Sequence, residues 1–167
     1  ALGTPGSSGV PTKQGFDYWF GYLDQSNAHN FYPEYLWENN VQYPLSGNVV
    51  GDQPKVSIKR VTYSHDVMHA KAMNFIRENA ARPFFLQAHY TIPHTNNEGG
   101  RATGDGQEVP DYGIYSKQDW PNPEKGYAAM ITRLDSDIGK LMALLKELAL
   151  DENTILFFTS DNGPVWY

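Results

Sequence analysis

At 167 residues, 40% hydrophobic and 14% aromatic, the chain has the size of one domain and enough apolar side chains to build a core. A formal net charge of −6 argues against nucleic acid as a partner, and no apolar run is long enough for a transmembrane helix. There is no cysteine, so no disulfide reports on redox compartment. The chain begins without Met or a signal-peptide pattern in a Gly-rich loop, and it stops soon after a strand-end motif. It therefore reads as an internal excerpt of a longer protein, 1–167 forming a single partial domain.

In chain order, residues 1–63 read as a loop-rich aromatic segment. The opening stretch to Pro11 is dense in Gly, Pro and Ser, and no Gly-Lys-Ser/Thr follows to make it a phosphate loop. Gly15 to Tyr22, Ala28 to Pro33 and Tyr35-Leu-Trp37 concentrate aromatic side chains. Such a segment suits either a carbohydrate-binding face or the packed underside of a surface loop, and packing is the more economical reading.

Residues 64–167 read as a helix–strand–loop–helix–strand core. Ser64 is a good N-cap, Asp66 complements the helix dipole, and Val67, Met68, Ala72, Phe75 and Ile76 form the apolar stripe before Pro83 ends it. His65 and His69 stand at i and i+4, as in a zinc-protease motif. Asp66 replaces the longer Glu base, however, and the pair reads as two solvent-facing histidines without zinc.

Phe84 to Tyr90 reads as a strand closed by turn chemistry at Thr91 to Asn96, with His94 just beyond its carboxyl end. Residues 95–125 lack an apolar period and read as a long loop. A helix over about 127–149 follows, its stripe running through Tyr127, Ile131, Leu134, Ile138, Leu141, Leu145 and Leu148, with Asp135 and Asp137 on the polar side. Thr154 to Phe158 then reads as a strand buried on both faces, stopping at Ser160-Asp161-Asn162-Gly163-Pro164. Asp161 and Asn162 offer hard oxygens of the kind Ca²⁺ or Mg²⁺ takes, although Asp-Asn-Gly is equally ordinary turn chemistry. Strand, helix and strand make a βαβ unit, which predicts His94 and the Asp161/Asn162 pair on one edge of a parallel sheet, where α/β folds bind ligands.

Together these residues resemble the type I sulfatases of the alkaline-phosphatase-like superfamily. The resemblance rests on Gln14-Gly-Phe-Asp17 with Gly21-Tyr22, the helix from Ser64 to Asn79, Pro83-Phe-Phe-Leu with Pro93-His94, and Leu134 to Leu145 followed by Thr154 to Pro164. It implies an α/β fold with a mainly parallel sheet flanked by helices. It also implies a secreted or periplasmic enzyme that hydrolyses sulfated carbohydrate or aryl sulfate, and it says nothing of oligomeric state. Asp161 and Asn162 would be ligands of a Ca²⁺ (Mg²⁺ in some members), His94 would protonate or stabilise the leaving alcohol, and a formylglycine would supply the nucleophile.

The chain also departs from the family pattern. It has no Cys/Ser-x-Pro-Ser-Arg motif and no N-terminal Asp pair, and Ala1 stands where a Lys-Trp-His motif would place His. The nucleophile region is thus expected outside this stretch, and the 167 residues alone are expected to be inactive and to fold poorly. Two other readings stand beside this one: a phosphate or phosphonate ester hydrolase of the same superfamily, and a catalytically inactive domain that binds sulfated glycans.

Overall fold

The structure, a computed structural model, describes residues 3–163. The aromatic segment is more ordered than its composition suggests. It forms five short strands: β1 (Phe20–Gly21), β2 (Tyr35–Glu38), β3 (Val41–Pro44), β4 (Val49–Val50) and β5 (Ser57–Lys59). All pair antiparallel, as a β1-β2-β3 sheet and a β4-β5 ribbon. Glu38 pairs with Val41, so the β2–β3 hairpin turns on Asn39-Asn40 alone. Asn39 takes φ of 53°, a left-handed conformation that Asn tolerates better than most residues. Its backbone N–H donates to Trp19 O at 3.0 Å and its side-chain oxygen accepts from Trp19 N at 3.1 Å, which ties the hairpin to β1.

Helix α1 (Ser64–Asn79) begins one residue earlier than a Ser64 cap predicts. Tyr63 occupies the cap position, and Ser64 is instead buried, its hydroxyl accepting from Tyr22 Oη at 2.7 Å. Helix α2 (Asn97–Thr103) lies inside the stretch read as loop; Asn96 caps it by accepting from Gly99 N at 2.9 Å. Helix α3 (Asn122–Glu147) starts five residues before the expected 127, with Pro123 in its first turn, where a missing N–H costs nothing.

Three apolar clusters hold these elements together. Phe31, Tyr32, Tyr63, Ile92 and Met130 join the aromatic segment to α3, and Tyr22, Leu36, Leu45 and Met68 join it to α1. Ile76 packs with Leu141, Leu144 and Leu145 between α1 and α3. Each such aliphatic side chain, once buried, contributes roughly 1.5–3 kcal/mol. The aromatics of residues 16–37 are therefore largely packing groups. The buried stripe of α3 runs through Ala129, Met130, Leu141, Leu144 and Leu145, leaving Ile131 exposed.

The expected parallel sheet is the main correction. Among the described residues, neither Phe84–Tyr90 nor Thr154–Phe158 is a strand, because neither segment joins a ladder. Phe84 and Leu86 turn inward onto the α1–α3 cluster while Phe85 is 70% exposed, so this segment keeps a strand's alternation with one face covered. Ile155 and Phe157 on one face are 82% and 88% exposed and Leu156 and Phe158 on the other 41% and 67%, so the segment read as buried on both faces is buried on neither. Each arm has the composition of a buried strand without the neighbouring strands that would bury it. The βαβ unit is thus present as order of elements, not as hydrogen-bonded pairing.

Candidate active site

His94 follows Tyr90 by four residues and stands exposed at the turn that ends the first arm. Its own backbone N–H donates to Thr91 O at 3.0 Å, closing that turn. The imidazole Nδ1 lies 2.6 Å from the Thr95 carbonyl oxygen, which makes Nδ1 the protonated donor and leaves Nε2 directed elsewhere. A second histidine covers one face of this ring. His29 stacks on His94 with centroids 5.0 Å apart and planes 10° from parallel. His29 Nδ1 in turn donates to Glu98 Oε2 at 2.9 Å, across 69 positions of sequence. Burial pushes the Glu98 carboxyl up, but the bond from His29 and the charge of Arg101 more than offset this and hold it below the usual carboxylate range.

The turn behind His94 is clamped from the far side. Asn96 N donates to Gly106 O at 2.8 Å, and Gln107 Nε2 donates to Thr95 Oγ1. A Cβ at Gly106 would overlap the Asn96 carbonyl oxygen, so only glycine lets the two backbones approach this closely. Next to this clamp Glu108 is buried against Arg60, whose Nη2 donates to it at 2.7 Å. Burial raises the Glu108 carboxyl despite that guanidinium. The pair edges a depression of about 280 Å³ also lined by Thr103, Asp105 and Tyr112.

Asp161 and Asn162 lie exposed at the end of the second arm. Asn162 donates through Nδ2 to Gly163 O at 2.8 Å and Ser160 Oγ donates to Asn162 O at 2.7 Å, so the turn is held by local side-chain bonds to its own carbonyls. That arrangement leaves the Asp161 carboxylate and the Asn162 Oδ1 without hydrogen bonds among the described residues. Two adjacent hard oxygens fit a Ca²⁺ site as two of the six to eight ligands it takes. Among the described residues no group of three or more acidic, His or Cys side chains completes such a site, and no hydrogen bond joins His94 to Asp161 or Asn162. Ala1 and Pro164 fall outside the described residues.

The comparisons with known proteins agree with one another. The family model described as Sulfatase matches residues 3–167. The chain belongs to the sulfatase family. Relatives include an N-acetylgalactosamine-6-sulfatase of Rattus norvegicus, 30% identical over 92% of this chain and 27% of that protein. An endo-4-O-sulfatase of Bacteroides thetaiotaomicron is 26% identical over 90% of this chain and 30% of its own length. The solved structure of Ps i-CgsB in complex with k-i-k-neocarrahexaose shares the fold, with a TM-score of 0.60 at 22% identity, over 86% of this chain and 31% of that one. This sulfatase-family chain thus spans about 27% of the length of the first relatives it matches, and its fold is a partial alkaline-phosphatase-like α/β domain.

The sulfatase domain also buries a polar cluster where the sequence suggests a solvated helix face. His65 is fully buried and His69 nearly so, and Asp137, read as solvated on α3, is 3% exposed. His65 Nε2 donates to Asp137 Oδ2 at 2.9 Å, and Lys140 Nζ donates to Asp137 Oδ1 at 2.6 Å. Tyr90 Oη donates to His69 Nδ1 at 2.8 Å, which turns His69 Nε2 towards Asp137 Oδ1, 3.8 Å away. Burial lowers both imidazoles, partly offset by Asp137, and raises Tyr90 to about 12. Burial pushes Asp137 up, but the bonds from Lys140 and His65 hold it below its ordinary value. The i, i+4 histidines are structural partners of α3, and Tyr90 links them to the arm that carries His94.

Sequence reasoning missed His29 and Glu98. Glu98 carried a signal, because Asn96-Asn97-Glu98 is an N-cap followed by an acidic first turn. His29 was hidden among aromatics that serve as packing groups.

Proposed function

We propose that the protein containing this chain hydrolyses sulfate esters of carbohydrates or aryl alcohols. The match of the sulfatase family across residues 3–167 carries the reading, and the sugar-sulfatase names of its relatives favour a carbohydrate substrate. In this reading His94 is the proton donor to the leaving oxygen. Its Nδ1 is committed to the Thr95 carbonyl, so Nε2 is the atom that faces substrate. Asp161 and Asn162 are two of the oxygen ligands of a Ca²⁺ (or Mg²⁺). When bound, that ion would neutralise charge on the sulfuryl oxygens, and a formylglycine elsewhere in the protein would supply the nucleophile.

The test uses the full-length protein, with sulfate release measured by ion chromatography from a 6-sulfated N-acetylgalactosamine and from nitrophenyl sulfate, against nitrophenyl phosphate as control. Sulfate release with no phosphate release supports the reading, and the reverse transfers the protein to the phosphoesterases. Asp161→Ala should abolish turnover and weaken Ca²⁺ binding by calorimetry. Unchanged calcium affinity would remove Asp161 from the metal site.

A further inference from the structure

Beyond the site residues the sequence nominates, the structure shows a second imidazole held against the first. His29 comes from the 3-10 turn Asn27–His29 and reaches across the fold to His94, which is remote in sequence. Its position is fixed at both ends. The chain on either side of it is pinned by Ala28 N and Asn30 N in turn hydrogen bonds, and its Nδ1 is bound to Glu98 in α2. Its side chain is only 20% exposed, whereas His94 itself is exposed. A half-buried, doubly anchored ring thus stacks on a ring whose one other restraint by hydrogen bond among the described residues is its own neighbour, Thr95.

We propose that His29, held by Glu98, is a positioning residue that fixes the plane of the His94 imidazole and so aims Nε2 at the leaving oxygen. The proposal rests on the reading of His94 as proton donor. The physical argument concerns rotation about the His94 side chain. One hydrogen bond from Nδ1 fixes the tautomer but leaves the ring free to swing about that bond. A parallel plate stacked on one face limits that swing, because tilting the ring towards His29 drives it into the plate and tilting it away gives up the stacking contact. Glu98 keeps the plate from moving with it. A general acid is effective only when its proton is within hydrogen-bond reach of the departing atom, and small misplacements are costly in rate.

The experiment measures kcat and KM of full-length wild type, His94→Ala, His29→Ala, His29→Phe and Glu98→Gln on a sugar sulfate and on nitrophenyl sulfate. Circular dichroism and melting temperature confirm that each variant folds. His94→Ala should slow the sugar sulfate, a poor leaving group, far more than the aryl ester. His29→Ala should reproduce that asymmetry at smaller size, with kcat on the sugar sulfate falling on the order of 10-fold to 100-fold and KM little changed. His29→Phe keeps a flat ring and should recover most of the rate, and Glu98→Gln should fall between wild type and His29→Ala. If His29→Ala fails to fold, the order of the Phe and Gln variants carries the test.

An asymmetric loss for His94→Ala with no loss, or an equal loss on both substrates, for the His29 and Glu98 variants overturns the positioning role and leaves the reading of His94 intact. Equal losses on both substrates for His94→Ala would overturn that reading, and the positioning role with it.

Discussion

At the scale of single residues, the cluster of His65, His69, Tyr90, Asp137 and Lys140 has a consequence for pH. Folding lowers the affinity of both imidazoles for a proton, chiefly through burial, against the pull of Asp137 and Asp66. The unfolded chain therefore binds more protons than the folded one once pH drops below about 6.5, the ordinary histidine value. The contribution of these neutral histidines is complete above that value and is lost progressively as pH falls towards their lower folded values. Asp137 has the other limit: its stabilisation holds above the ordinary carboxylate range and disappears only at much lower pH. We expect the melting temperature of the full-length protein to fall between pH 7.5 and 5.5, and His69→Gln to flatten that slope, since Gln can still accept from Tyr90. Identical slopes for wild type and variant would show that the cluster does not titrate in this range.

At the scale of elements, α3 contains two glycines with opposite prospects. A Cβ at Gly139 meets nothing within 4 Å, whereas at Gly126 it would lie 2.6 Å from Gln107 O and 2.7 Å from Gln107 Cβ. Helix propensity favours Ala over Gly by about 1 kcal/mol at either position. Gly139→Ala should therefore raise stability by roughly 0.5–1 kcal/mol. Gly126→Ala should lower it, because the 107–108 strap must shift from the helix. Chemical denaturation of the two variants separates them by sign.

The existence of α1 and α3 was legible from their apolar periods, and the His94 turn and the Asp161 turn from their Asx and Pro chemistry. Which face of α1 is buried was not. The spacing of His65 and His69 puts them on one face, but Asp137, 72 positions later, decides that this face is inward. Helix α2 escaped notice because Gly99-Gly100 lowers its propensity, and its stability comes from the Asn96 cap and the clamp on Gly106. The five strands of the aromatic segment are two to four residues long, too short for a period to show.

At the scale of the molecule, the two arms expose Phe85, Ile155, Phe157 and Phe158. Contiguous apolar backbone with unpaired N–H and C=O groups is a template for intermolecular pairing. The isolated 167-residue chain should self-associate and show no sulfate release, while replacing Phe157 and Ile155 with Lys should keep it monomeric. Sedimentation velocity checks this, and a monodisperse monomer of the unaltered chain would refute it. The fold is also bound together by pairs remote in sequence: Arg60–Glu108 and Asp66–Arg133 are ion pairs, and His29–Glu98 and His65–Asp137 are imidazole–carboxylate hydrogen bonds. Ribosomes add roughly 5–20 residues per second, so His65 is polymerised about 4–14 seconds before Asp137. Until α3 follows, Ile76 of α1 lacks the Leu141, Leu144 and Leu145 side chains that cover it in the folded chain. A synonymous change that slows translation between the codons of α1 and those of α3 would lengthen that exposure without altering one side chain.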